Sequence, residues 1–213
     1  MGRGLRLSGE SSDYFALKRV EWLDCAITAL GIKVSSVLDY GCGTGATTHL
    51  LKEALHAESA TGVDVSPRLL DVARRDTSLP GVSFLHTQEL QPGGQFDVVY
   101  TNGVFHHIAP GERRPVVDYV ARCLRRGGLL AFWENNPWSL GARWVMSRIP
   151  FDRDAVMLSS RQASELLGSA GLRVGRVDYL FVFPHAFRFM RSIEPHLSRW
   201  PLGAQYMVLA RRD

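Results

Sequence analysis

Apolar residues fall at Leu17, Val20, Leu23, Ile27 and Leu30 in residues 13–31, a three-to-four-residue recurrence that predicts a helix with that stripe turned inward. Asp13 is placed to cap its start and Gly31 its end. The period then shortens. SSVLDYG (35–41) reads as a strand, ATTHLLKEALH (46–56) as a helix and ATGVDV (60–65) as a second strand. SPRLLDVARR follows, with Ser66 as N-cap and Pro67 at the first helical position, where a proline loses no useful N–H. VSFLH (82–86) and FDVVYTN (96–102) are further strands, followed by a helix from Pro115 to Leu124 and the strand GGLLAFWE (127–134). Residues 135–159 lose the periodicity and read as an insertion. RQASELLGSAG is a helix ending at Gly171, LRVGRVDYLFVF the next strand, 184–203 a second irregular stretch and AQYMVLARR a last strand. Strands alternating with helices predict an α/β fold, a parallel sheet covered on both faces. The expected organisation is a flexible tail over 1–12 and one domain over 13–213, with cap insertions near 135–159 and 184–203.

Within VLDYGCGTGATTHLL (37–51), glycines alternate at Gly41, Gly43 and Gly45. Glycine loses more backbone freedom on folding than any other residue, so this cluster implies that the backbone itself approaches a ligand. In open parallel sheets, ligands sit beyond the carboxyl ends of the strands, where bare N–H groups at a helix start suit a polar or anionic group. GCGTGA also satisfies the dinucleotide form GxGxxG/A, which keeps an NAD-binding oxidoreductase in view. Asp39 argues against it. A pyrophosphate beside that carboxylate would be repelled, whereas a cofactor carrying an ammonium group would be tolerated or held. Asp64, ending the second strand, can accept both hydroxyls of a ribose.

The 213 residues are 46% hydrophobic and 22% charged, enough for one core-bearing domain. No apolar run is long enough to cross a bilayer, and MGRGLRLSGESSDYF lacks the apolar segment of a secretory signal, so no membrane association is expected. Cys25, Cys42 and Cys123 form no CxxC pair, which argues against a disulfide framework or a metal site and for a reducing, cytoplasmic location. The net charge of +4 is spread along the chain, so a solvated basic surface is expected rather than a nucleic-acid groove.

VLDYGCGTG, TGVDVSPRLLDVAR, FDVVYTNGVFHHI and LRRGGLLAFWE, in that order, resemble the motifs of the class I S-adenosylmethionine-dependent methyltransferases, and the likeness covers the chain after residue 12. The resemblance implies a three-layer, Rossmann-like methyltransferase fold: a seven-stranded, mostly parallel sheet whose last strand runs antiparallel between its neighbours. It implies S-adenosyl-L-methionine as cofactor and S-adenosyl-L-homocysteine as product. By motif position, Gly41, Cys42, Gly43 and Gly45 would hold the methionine end, with Asp39 beneath it. Asp64 would bind the ribose, Val65 would flank the adenine and Gln88 would meet its amino group where the family often has an acid. Asn102 would line the cofactor near its sulfonium. Tyr14 and Lys18, four residues apart on one helix face, belong to a region that closes over the cofactor in related enzymes.

Methyl transfer from a sulfonium is an in-line displacement, so catalysis is chiefly positioning and dehydration, with a base added when the acceptor carries a proton. His106 and His107 follow the fourth strand and titrate in the right range, and adjacent side chains diverge, so one of them is expected to face the pocket. Glu134, ending the fifth strand, is a second candidate base. Asn135, Asn136 and Trp138 offer amide contacts and a stacking face to a substrate, as do His185 and Arg188 on the later cap. ENNPWSLGARW, PFDRDAVML and PLGAQY resemble a narrower small-molecule subgroup, with Asn135 where a histidine is commoner and Ser139-Leu140 replacing Asn-Pro. Phe183 and Trp200 are expected to fill the core beneath the cap. The expectation is O-methylation of a small molecule. An RNA methyltransferase, an NAD-binding oxidoreductase and a cofactor-binding protein without turnover are the alternatives, and the cap loops could join two copies as a homodimer.

Overall fold

The computed structural model describes residues 10–148 and 155–213, so 1–9 of the expected tail and the start of PFDRDAVML lie outside the described residues. The strands are β1 (Ser36–Tyr40), β2 (Ser59–Asp64), β3 (Val82–His86), β4 (Phe96–Asn102), β5 (Leu124–Asn135), β6 (Leu172–Leu180) and β7 (Gln205–Arg212). They form one seven-stranded sheet in the order β3-β2-β1-β4-β5-β7-β6. The first five run parallel, and β7 lies antiparallel between β5 and β6, as expected. The strand order reverses between β1 and β4, the place where this architecture opens a crevice.

The helices are α1 (Ser12–Ala29), α2 (Thr48–Ala54), α3 (Pro67–Asp76), α4 (Arg113–Cys123), α5 (Leu140–Met146), α6 (Ser160–Ser169) and α7 (Glu194–Leu197). Side chains alternate across each strand, so both sheet faces need covering. Val37, Tyr100, Trp133 and Met207 form one core with residues of α1 and α2. Leu38, Val99, Phe132 and Tyr206 form the other with residues of α4 and α6. Trp133 and Phe132 are completely buried, and each such burial contributes about 1.5–3 kcal/mol.

Several boundaries differ from expectation. Ser11, not Asp13, caps α1: its Oγ accepts the Tyr14 N–H at 3.2 Å. The buried stripe of α1 is Ala16, Arg19, Val20, Leu23, Ala26 and Ile27, while Leu17 and Leu30 face solvent. Trp22 Nε1–H donates to the buried Asp178 of β6 at 3.0 Å and holds α1 in that rotation. Inside the first insertion, Ser139 Oγ accepts the Ala142 N–H and starts α5 where no regular element was expected. A reciprocal Ser159–Gln162 capping box starts α6 at Ser160, one residue before the predicted RQASELLGSAG. Strand β6 stops at Leu180 instead of reaching Phe183, because Phe181 takes a left-handed φ of 64°. Trp200 is 63% exposed and does not fill the core.

Glu10 is anchored despite its place in the expected tail. Its Oε1 lies 2.8 Å from both His185 Nδ1 and Arg191 Nη1, tying the start of α1 to the 3-10 turn His185–Ile193.

Candidate functional site

The chain leaves β1 through Gly41, Gly43 and Gly45, all left-handed with φ of 78°, 56° and 75°. The Gly41 and Cys42 N–H groups both donate to the Val63 carbonyl, at 2.8 and 3.0 Å, which clips this loop to the end of β2. The glycines answer to different neighbours. A Cβ on Gly41 would strike the Val104 side chain, and one on Gly45 would come within 2.6 Å of the Phe84 ring. A Cβ on Gly43 would meet nothing within 4 Å. Gly41 and Gly45 therefore serve packing, and Gly43 borders open space.

Asp64 stands beside that opening. Its Oδ2 accepts the Gly43 N–H at 2.9 Å and its Oδ1 the Ser66 N–H at 2.8 Å. Each carboxylate oxygen has two lone-pair sites, so both retain acceptor capacity for a ligand's hydroxyls. Asp39, at the end of β1, is buried and accepts the Thr48 hydroxyl at 2.7 Å. Burial pushes its pKa up to about 7, the Thr48 hydrogen bond opposing and the nearby Asp64 charge adding to the rise. Burial, with Asp39 and Asp64 close by, likewise raises the Cys42 thiol well above its ordinary value, so this cysteine stays protonated and is no nucleophile.

The rim is built from the next two strand ends. Thr87 N–H donates to the Asp64 carbonyl at 3.1 Å, joining the β3 turn to β2. Gln88 N–H donates to His86 Nδ1 at 3.3 Å, which puts the imidazole proton on Nε2, 3.2 Å from the Val65 carbonyl. The Val65 and Gln88 side chains are left exposed. At the end of β4, Asn102 Oδ1 is buried with no hydrogen-bond partner among the described residues. Tyr14 is half-buried with the Arg191 guanidinium 4.7 Å from its ring centre, whereas Lys18 is exposed and pairs with Glu21 at 2.7 Å.

The two candidate bases after β4 and β5 meet. Glu134 Oε1 accepts the Phe105 N–H at 2.7 Å and the His106 N–H at 3.3 Å, and its Oε2 lies 2.6 Å from His106 Nδ1. Both side chains are at least 96% buried. His107 points outward, its ring centre 4.1 Å from that of His106. Arg113 clamps the turn by donating Nε to the Phe105 and Ile108 carbonyls, both at 3.0 Å, and Nη2 to the Val156 carbonyl. No cluster of three or more His, Cys, Asp or Glu side chains among the described residues is arranged to hold a metal.

The expected substrate contacts separate. Asn136 is buried, with its Nδ2 donating to the Pro201 and Gly203 carbonyls and its Oδ1 accepting the Trp138 N–H, so it fastens the cap together. Asn135 Oδ1 accepts from Gln205 at 3.0 Å, and Trp138 is largely exposed. His185 Nε2 faces the exposed Arg188 at 2.9 Å. Sequence reasoning missed Arg19, Thr48, Tyr100, Arg113 and Gln205. For Arg19 a signal existed: it shares helical spacing with Ala16, Val20 and Leu23 on an otherwise apolar face.

A family model described as a methyltransferase domain matches residues 37–128, from β1 into β5. The demethylmenaquinone methyltransferase of Thermus thermophilus is 33% identical over 122 residues, covering 55% of this chain and 54% of that protein. The trans-aconitate 2-methyltransferase of Rhizobium leguminosarum is 31% identical over 101 residues, covering 46% of this chain and 38% of that protein. The chain thus spans about half, or less, of the curated relatives it matches. Among solved structures, an S-adenosylmethionine-dependent methyltransferase from Mesorhizobium loti superposes with a TM-score of 0.64 over 91% of this chain and 98% of its own, at 20% identity. That likeness shows the fold, which is Rossmann-like and shared with methyltransferases.

Proposed function

We propose that this chain is an S-adenosylmethionine-dependent methyltransferase that delivers the methyl group to a hydroxyl of a small-molecule acceptor. The observation that carries this reading is the Asp64 carboxylate, aimed by the Gly43 and Ser66 N–H groups beside a glycine whose missing side chain borders open space. The residues present fit the cofactor. A ribose offers two hydroxyl donors to Asp64, an ammonium suits Asp39, and the partnerless Asn102 Oδ1 awaits a donor. Gly41, Cys42, Gly43 and Gly45 would carry the aminoacyl end, with Val65 and Gln88 beside the adenine. When bound, the cofactor supplies an electrophilic methyl group on a sulfonium.

For the chain's own part, Glu134 accepts a hydrogen bond from His106 Nδ1–H, which selects the tautomer whose basic nitrogen is Nε2. His106 so oriented takes the proton of the acceptor hydroxyl, and Glu134 stabilises the imidazolium that forms. Asn135, Trp138, His185 and Arg188 lie on the two cap segments and would meet the acceptor. The relatives named for trans-aconitate and demethylmenaquinone support a small-molecule acceptor. The test is calorimetric titration with S-adenosylhomocysteine, then an acceptor screen with methyl-labelled donor. Saturable binding and label on an oxygen are expected. A protein that ignores S-adenosylhomocysteine would refute the cofactor, and label found only on nitrogen or carbon would refute the hydroxyl.

A further inference from the structure

We infer that the cap carries a docking surface for an anionic lipid membrane, on which the protein rests without crossing it. The two cap segments start from one place. Asn135 at the end of β5 and Leu180 at the end of β6 are both register partners of Gln205, the first residue of β7. The Asn136 N–H donates to the Ala204 carbonyl at 2.9 Å, and Asn136 Nδ2 donates to the Pro201 carbonyl at 3.1 Å. The segments that follow Asn135 and Leu180 are thereby joined at one end of the sheet.

Large apolar side chains stand uncovered there. Trp138, Leu140, Trp144, Phe189, Trp200 and Leu202 are 45–79% exposed, and they include three of the chain's five tryptophans. Helix α5 turns Ala142 and Met146 inward, which leaves Leu140 and Trp144, four residues apart, on its outer face. Arg148 follows at the same spacing, its guanidinium carbon 4.2 Å from the Trp144 ring centre. Single exposed apolar residues need no explanation, but a group of them marks a contact surface.

Charge decides what the surface meets. Residues 135–148 and 181–204 hold five arginines and one carboxylate, Glu194, whose Oε1 accepts the Phe183 N–H at 2.8 Å. Arg191 pairs with Glu10, and Arg199 lies 3.7 Å from the buried Asp178. Arg143, Arg148 and Arg188 make no ion pair among the described residues. A second copy of this face would set like charges against each other. A nucleic acid would use the rings and the arginines but gains no stacking from Leu140 and Leu202. A bilayer surface takes all three: tryptophan at headgroup depth, aliphatic side chains at the acyl boundary and arginine on anionic headgroups. No described helix is long and apolar enough to cross a bilayer, so the attachment is to the surface of one leaflet. This departs from the expectation of no membrane association, which rested on the lack of a spanning run and of a secretory segment.

Flotation of the full chain with two kinds of vesicle tests this: phosphatidylcholine alone, and phosphatidylcholine with about 30% phosphatidylglycerol. Partition onto the anionic vesicles is expected to be roughly tenfold stronger or more, to weaken with salt and to shift tryptophan emission to the blue. Trp144→Ser with Trp200→Ser should lower it about tenfold. Arg143→Glu with Arg148→Glu should lower it roughly 25-fold or more, about fivefold for each arginine, and change little on phosphatidylcholine. Arg126→Glu with Arg173→Glu makes the same change of net charge near the starts of β5 and β6, at the other end of the sheet, and should stay within about threefold of wild type. All six positions are exposed, so urea midpoints should hold in every variant. Protein that floats with neither vesicle would overturn the proposal, whether or not the same face then binds a transfer-RNA probe or a second copy. So would equal partition onto both vesicles, or a loss in the Arg126 and Arg173 pair that matches the loss on the cap.

Discussion

Asp64→Asn preserves volume but offers one oxygen to two N–H donors. In the native site the two carboxylate oxygens separately accept from Gly43 at 2.9 Å and Ser66 at 2.8 Å. However the substituted amide turns, its NH2 opposes one of these N–H groups. An unsatisfied buried donor costs ~1–3 kcal/mol, and the partial exposure here, which lets water help, argues for the lower half of that range. Asp64→Asn should therefore lower unfolding free energy by about 1–2 kcal/mol. Ligand binding should suffer more. The ribose hydroxyls would lose a charged acceptor, each such hydrogen bond being worth ~1.5–3 kcal/mol, and the amide can replace only part of it. A net loss of ~1.5–3 kcal/mol is roughly a 10- to 150-fold weaker Kd for S-adenosylhomocysteine. Titration calorimetry on a sample whose urea midpoint is measured in parallel separates the two effects. A folded variant whose Kd stays within about twofold of wild type would remove Asp64 from the ligand's contacts.

Asp39 makes stability depend on pH. Its pKa rises from 3.8 to about 7 on folding, so between those values the folded state holds the proton more tightly and stability falls as pH rises. The loss is bounded at ~4 kcal/mol over that interval. Asp39→Asn should flatten this part of a plot of urea midpoint against pH, and an unaltered slope would show that another group is responsible. Gly43→Ala and Gly45→Ala should divide by phenotype. The first suffers only left-handed strain of ~1–2 kcal/mol but crowds the opening, so S-adenosylhomocysteine affinity falls while stability drops by no more than that strain. The second drives a methyl against Phe84 and should lose ~2–4 kcal/mol of stability, and the reverse ordering in denaturation and titration would refute the site's placement. His106→Gln and Glu134→Gln should slow single-turnover methyl transfer by ~10²-fold or more with a smaller change in cofactor affinity. Full rate with the identified acceptor would exclude the dyad as base.

The positions of the strand-end acids were legible because Asp39, Asp64 and Glu134 each follow an apolar run, where a carboxylate has no place in a core. The antiparallel last strand came from family likeness, since nothing local in AQYMVLARR sets its direction. What escaped reading was decided by distant partners. Ser11, Ser12 and Asp13 are all good caps, and only the observed bond to the Tyr14 N–H chooses between them. Leucine at 17 outranks alanine at 16 in hydrophobicity, yet the Trp22–Asp178 bond turns the helix the other way. Helix α5 spans seven residues, too few to display a period. Asn136 looked like a substrate contact because its partners, the Pro201 and Gly203 carbonyls, are more than sixty residues away. Arg19 was readable as an anomaly on an apolar stripe, but its acceptors on β4 and β7 were not.

Arg19 and Gln205, whose side chains touch, are 186 positions apart. On a ribosome adding about 5–20 residues per second, the glycine loop emerges roughly ten seconds or more before Gln205 does. A nascent chain thus exposes the loop well before the guanidinium is held from both sides. The guanidinium gains its second hold only when the last strand slides between its two neighbours, which makes sheet closure the step that completes this buried contact.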